Sequence, residues 1–218
     1  VYPAGREVRS DYGTDPLSEI RLGGISSRPD AQGSWTSFAE YTYLGADAVV
    51  EVVHPTVASG AGLKLSYGSG GLYPGWDRFG RVVEQSWTVG GTAVDEFLYG
   101  YDRNSNRLYR DNGVNPSFGE LYHADGAPAA RAYDGLDRLM AFTRGRLSGN
   151  KVIDSSSRQQ SWQLDALGNW RSNVLNGQPQ QRQYNAGNEL LKIDDSNAHL
   201  AHDAAGNLTK APVPDQEG

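Results

Sequence analysis

A short motif recurs six times along this chain and constrains its fold more than any other feature. It reads aromatic residue, Asp, two variable residues, Gly, Arg or Asn, then an apolar residue. The copies begin with Trp76-Asp77-Arg78-Phe79-Gly80-Arg81-Val82 and Tyr101-Asp102-Arg103-Asn104-Ser105-Asn106-Arg107-Leu108. Tyr133-Asp134-Gly135-Leu136-Asp137-Arg138-Leu139 and Leu164-Asp165-Ala166-Leu167-Gly168-Asn169-Trp170 follow. Tyr184-Asn185-Ala186-Gly187-Asn188-Glu189-Leu190 and His202-Asp203-Ala204-Ala205-Gly206-Asn207-Leu208 complete the set. The second copy reads as having one extra turn residue, and the fifth as one residue tighter before its Gly. Successive Asp or Asn positions lie 25, 32, 31, 20 and 18 residues apart. A rigid solenoid would hold its period. Here the turn is constant while strands and connections vary.

The motif has a physical reading. Asp-x-x-Gly is a type I turn signature. The Asp carboxylate accepts hydrogen bonds from backbone N–H groups two residues on. Gly adopts the left-handed conformation that closes such a hairpin with a bulge. Asp137 and Asn106, read as replacing Gly in the third and second copies, are residue types that tolerate it. The predicted turn residues are Asp77, Gly80, Asp102, Asp134, Asp165, Gly168, Gly187, Asp203 and Gly206.

The flanks read as strands. Alternation in 96–101 places Phe97, Tyr99 and Tyr101 on one face, and 82–89 has strand composition. Segments 160–164 and 181–184 alternate polar with larger residues. Few segments are apolar on both faces, so one face of the sheet should meet water or a hydrated lumen. Segments 2–8 and 43–50 look like degenerate copies. Segments 54–75 and 111–128 are Gly/Pro-rich and read as loops or insertions, and Arg144 to Gln159 as a long polar connection. The expected organisation is degenerate repeats over 1–75, six repeats of one continuous array over 76–209, and a Pro-rich acidic tail over 210–218.

Composition agrees. The chain has 27 Gly, 12 Tyr and 5 Trp, which favours strands and tight turns over helix. With aromatics at 10%, disorder is a poor reading of the whole. The net charge of −6, with no basic stretch, argues against nucleic-acid binding. With no cysteine there are no disulfides, thiolate metal sites or cysteine nucleophiles. No apolar run has the length of a membrane span, and no signal peptide is evident. The start at Val1 and the Pro-rich end suggest a fragment or a processed product.

These residues resemble the Rhs/YD-repeat family. Residues 133–139 and 202–208 are the closest matches, and the likeness covers 76–209 well. Relatives include bacterial polymorphic toxins, encapsulating components of insecticidal toxin complexes, wall-associated proteins and teneurins. The resemblance implies an all-β fold: antiparallel β-hairpin repeats in one long twisted or spiralling sheet, shell- or tube-like, with little helix. It implies a scaffold role for the turn residues. The core region that caps the shell in toxin relatives is not found here.

Motifs for chemistry are weak. His199, His202 and Asp203 are metal-ligand types, but His202 fills the aromatic slot of its repeat. Asp194-Asp195 reads as an acidic turn, and Asp-x-x-Gly-Asn lacks the alternating ligands of a calcium loop. Nucleophile-elbow and phosphate-loop patterns are absent, and no carboxylate pair stands out. The expectation is no enzyme and no cofactor. Trp35, Trp87, Trp162 and Trp170 are candidate sugar-stacking faces, weighed against packing across strands, which is the fate of Trp76 in its aromatic slot. Asn207-Leu208-Thr209 matches a glycosylation sequon.

Three functions are compatible. The first is an extracellular or cell-surface scaffold forming a shell, tube or fibre wall. The second is a cell-envelope module that binds glycans or a neighbouring cell. The third is part of a cocoon around a toxin outside this chain. Expected partners are further repeats or copies joined by strand pairing, then glycans or an enclosed toxin domain.

Overall fold

The computed structural model describes residues 5–13, 21–45, 48–68, 75–122, 132–149, 151–198 and 200–211. The chain is almost entirely β. Its first strands are β1 (Glu7–Tyr12), β2 (Leu22–Arg28), β3 (Thr36–Leu44), β4 (Ala48–His54) and β5 (Leu63–Ser66). Then come β6 (Glu84–Val89), β7 (Thr92–Tyr101), β8 (Arg107–Asn112), β9 (Glu120–Leu121) and β10 (Ala141–Leu147). β11 (Ile153–Leu164), β12 (Trp170–Leu175), β13 (Gln178–Tyr184) and β14 (Leu190–Ile193) complete one sheet of 14 strands. β15 (Ala201–His202) and β16 (Leu208–Lys210) form a separate hairpin. Two short 3-10 segments, Ala58–Gly60 and Pro116–Phe118, interrupt the strands.

Strand order in the sheet follows chain order from β1 to β14, with no crossover. The topology has a simple cause. Strands consecutive in the chain are the readiest partners, so each strand pairs with the one before it. Every connection from an odd to an even strand therefore reaches one edge, and every even-to-odd connection the other. All five recognised turns inside the sheet are odd-to-even. Asp77 lies between β5 and β6, Asp102 between β7 and β8, Asp134 between β9 and β10, Asp165 between β11 and β12, and Asn185 between β13 and β14. The sixth, at Asp203, joins β15 to β16. The uneven spacing of the motif arises largely from strand length: β10 and β11 have 7 and 12 residues, whereas β14 and β15 have 4 and 2.

The chain divides into two compact units. One comprises residues 1–100 and 110–116, the other 101–109 and 117–218. In both, burial is shallow. Among the described residues the buried apolar side chains are Ala39, Leu121, Tyr122, Ala132 and Leu147, and of these Leu121 is the large one that is wholly enclosed.

Two expected loops contain strands. Residues 54–75 include β5, which pairs with β4 and β6, and 111–128 include β9, which pairs with β10. Arg144 to Gln159 is no long connection: it is the end of β10, a tight turn and the start of β11, with Arg144 opposite Arg158. The misreading has a physical reason. A sheet with both faces partly solvated accepts polar residues on both, so these strands lack the apolar alternation that marks a half-buried strand. Of the degenerate copies, 43–50 straddles a β3–β4 hairpin with Gly45 at φ +66. Residues 2–4 of the other lie outside the described residues. Phe97 and Tyr99 do stack, with ring centroids 6.2 Å apart.

Candidate functional site: a row of Asp turns

The six motif turns share one geometry. In each, the backbone N–H of the Asp (or Asn185) donates to the carbonyl four residues on, at 2.9–3.1 Å. The N–H three residues on returns to its carbonyl at 3.0–3.2 Å. The side-chain Oδ1 accepts from the N–H two residues on at 2.8–2.9 Å. It also accepts from the N–H four residues on at 2.9–3.0 Å. One oxygen therefore satisfies two donors that a bare turn would leave to water.

The second and fifth copies obey the same count. The second has no extra residue: Ser105 takes the left-handed position at φ +71, and Asn106 stands where Arg81 stands in the first copy. The fifth is not tighter. Asn188 is left-handed at φ +68, while Gly187 donates its N–H to Asn185 and has no positive φ. The other left-handed residues are Gly80, Asp137, Gly168 and Gly206. Spacing from Asp, not the identity of Gly, marks this position.

The next residue links the turns. Arg81 and Arg138 place Nε 2.6 and 2.7 Å from the Oδ2 of their own Asp. Asn106, Asn169 and Asn207 donate Nδ2 to the same atom at 3.2, 2.9 and 2.9 Å. In the fifth turn the roles reverse, and Asn185 Nδ2 donates to Glu189 at 2.5 Å. Within the second unit several of these residues also reach the following turn. Asn106 donates to Asp137 at 2.6 Å, Arg138 Nη1 to the Asp165 carbonyl at 3.0 Å, and Asn169 to Asn188 at 2.8 Å. Glu189 lies against Gly206, where an added Cβ would come within 3.0 Å of its carboxylate. A pattern results. Where the receiving turn has Asp or Asn in the left-handed slot, an Asn reaches it; where it has Gly, a longer Arg or Glu fills the space.

The electrostatics follow. In Asp77 desolvation pushes the carboxyl up, yet hydrogen bonds from the Arg81 side chain and from backbone N–H groups outweigh it and hold it below the usual range. Asp134 is lowered chiefly by the Arg138 N–H. Asp165 and Asp203 are lowered chiefly by the Asn169 and Asn207 side chains. Each carboxylate gains donors that favour its charged form.

The aromatic slot adds another tie. The Tyr133 hydroxyl donates to the Arg107 carbonyl at 2.8 Å, and the Tyr43 hydroxyl to the Leu22 carbonyl at 2.9 Å. Residues 43–50 thus keep the tyrosine tie although the Asp is gone. Next to the turns in the second unit, Tyr122, Phe142, Trp162 and Trp170 form a chain of ring contacts at 6.5, 5.9 and 5.6 Å. Arg182 lies 4.9 Å over Trp170. Burial first, and then the Glu120 carboxylate 2.5 Å away, push the Tyr122 hydroxyl up to about 12.

The other sequence candidates are placed as follows. Arg9 and Arg28 lie 4.5 and 4.7 Å over the Trp35 ring. Trp87 stands opposite Leu65 and Asp95 in the sheet register. Asp194 Oδ1 accepts from the Gln181 N–H at 2.7 Å. His199 lies outside the described residues, and among those described no group of three metal-binding side chains converges. The sequon Asn207 is the turn residue already described.

Fold and turns together define an antiparallel β-hairpin repeat array. Solved structures share this fold. The Tc holotoxin pore of Photorhabdus luminescens matches 94% of this chain with a TM-score of 0.62 at 13% identity. A TcdB2-TccC3 crystal structure matches 98% with a TM-score of 0.63, also at 13% identity. TcdB2-TccC3 without its hypervariable C-terminal region matches 94% with a TM-score of 0.60 at 14% identity. In each case the chain spans 11% of the longer chain it matches. The resemblance to Rhs/YD-repeat proteins therefore holds in the fold. No family model matches, and no curated protein does.

Proposed function

We propose that this segment is a stretch of β-sheet wall in a larger shell-, tube- or fibre-forming protein at or outside the cell surface. One observation carries the reading: 14 strands are paired in chain order while the described residues bury few apolar side chains. A two-layer domain hides one face of its sheet in a core. A wall instead gets its rigidity from a backbone ladder and from ties between turns. Its partners are further repeats of the same kind, added strand by strand at an open edge. In a toxin relative such a wall encloses cargo, and here an enclosed C-terminal toxin is the finer form of the proposal. The scaffold role requires no catalytic group.

Cryo-electron microscopy of the native polypeptide tests this. A hollow body with a wall one sheet thick is expected, and a solid globular domain would overturn the reading. Protease treatment of intact cells should cleave the protein if it is displayed outside. A cargo inside the shell should survive that treatment until the shell is opened.

A second reading, envelope glycan binding, is favoured by the cavity described next.

A further inference from the structure

We propose that the first unit carries a binding site for a carboxylate-bearing sugar, at the edge of the sheet opposite the Asp turns. This site rests on the glycan-binding reading and not on the wall, so the two stand or fall separately.

A cavity of about 630 Å³ opens there. It is lined by Arg6 just before β1, by Ser27, Arg28 and Pro29 at the end of β2, by Thr36, Ser37 and Phe38 at the start of β3, and by Thr56 after β4. All of these elements meet at the even-to-odd edge. Its connections are free to vary while the strands hold their ends in place, which is where scaffolds commonly place binding residues. The volume lies within the range of small-ligand sites.

The lining chemistry selects a ligand class. Arg28 is fixed: its Nε donates to Glu7 at 2.7 Å, and its guanidinium lies over Trp35. Arg6 is different. Its Nη2 stands 3.5 Å from Ser27 Oγ, and among the described residues no carboxylate pairs with it. A guanidinium with spare donors is suited to bidentate capture of a carboxylate. The hydroxyls of Ser27, Thr36, Ser37 and Thr56 can each donate and accept, which matches a ligand rich in hydroxyls. Phe38 is 49% exposed, with His54 edge-on at 5.8 Å and His54 Nδ1 3.0 Å from the Phe38 carbonyl. Together with Pro29 it offers an apolar wall for the C–H face of a sugar ring. A neutral sugar would leave Arg6 unused. A polyanion such as nucleic acid would meet a chain of net charge −6, and the described lining holds two cations, of which Arg28 already pairs with Glu7.

The test uses a glucuronyl disaccharide and its carboxyl-reduced glucosyl counterpart, titrated against the whole chain by calorimetry and by amide NMR. The uronyl sugar should bind at least about tenfold more tightly, because the reduced analogue cannot pair with the guanidinium. Its binding should shift amides at residues 27–28 and 36–38. Arg6→Gln should remove that preference. Phe38→Ala, at an exposed position, should weaken both sugars with the fold retained by circular dichroism. Equal affinity for the two sugars, no binding of the uronyl sugar, or binding unchanged by Arg6→Gln would each overturn the site.

Discussion

Asn169 Nδ2 donates to the Asn188 side-chain oxygen at 2.8 Å while holding the carboxylate of Asp165, in its own turn, at 2.9 Å. One amide thus closes a turn and ties it to the next. This dual use explains why Arg or Asn recurs at this position, since both carry more than one N–H donor. A double-mutant cycle with Asn169→Ala and Asn188→Ala measures the tie. The expected coupling is about 0.5–1 kcal/mol, read from denaturant unfolding. A coupling of zero would show that the turns merely lie side by side.

Acid should loosen the turns selectively. Asp77, Asp134, Asp165 and Asp203 titrate lower in the fold than the ordinary value of 3.8. Such groups contribute stability at all pH values above 3.8, and it is lost as pH falls through their folded values. The N–H groups of Phe79, Leu136, Leu167 and Ala205 should then lose protection from hydrogen exchange. The N–H groups of Gly187 and Glu189 should not, because Asn185 holds them with an amide that does not titrate.

Alkali provides the opposite test. The Tyr122 hydroxyl is raised from 10.0 to about 12. Its contribution is complete below pH 10 and is lost as pH rises toward 12. Absorbance titration should show a tyrosine ionising at about 12, and Glu120→Gln should bring it down.

Glycines in the motif should not respond alike. Gly80 is at φ +73 with open space around its Cα, so Gly80→Ala pays only the left-handed penalty, about 1–2 kcal/mol. Gly187 has an ordinary φ and a neighbouring side-chain oxygen at 3.3 Å from an added Cβ. Gly187→Ala should change stability by less than about 0.5 kcal/mol. Equal losses at both sites would contradict the assignment of Asn188 as the left-handed residue.

The thin core should concentrate its sensitivity. Leu121 is fully buried, and Leu121→Ala should cost about 2–5 kcal/mol in unfolding free energy. Leu136→Asn and Leu167→Asn, at turn tips that are 71% and 73% exposed, should leave stability nearly unchanged. Thermal unfolding of the three variants would separate these outcomes.

The repeat, its Asp and the all-β class were legible because a type I turn with a left-handed closing residue is specified locally, by side chains within five positions of one another. The same locality explains the two turns misread in sequence. Ser105 and Asn188 carry no glycine signal, and their conformation is imposed by the closing hydrogen bonds of the hairpin. β5, β9 and the junction of β10 with β11 were hidden because their partners, not their own alternation, make them strands. The pairing of Asn169 with Asn188, the shallow core and the cavity beside Arg6 join residues that lie far apart in the chain or belong to separate strands. Local sequence determined the turns. Only the tertiary structure decided which turns touch and which side chains meet at the opposite edge, because strand registry and loop path set those distances.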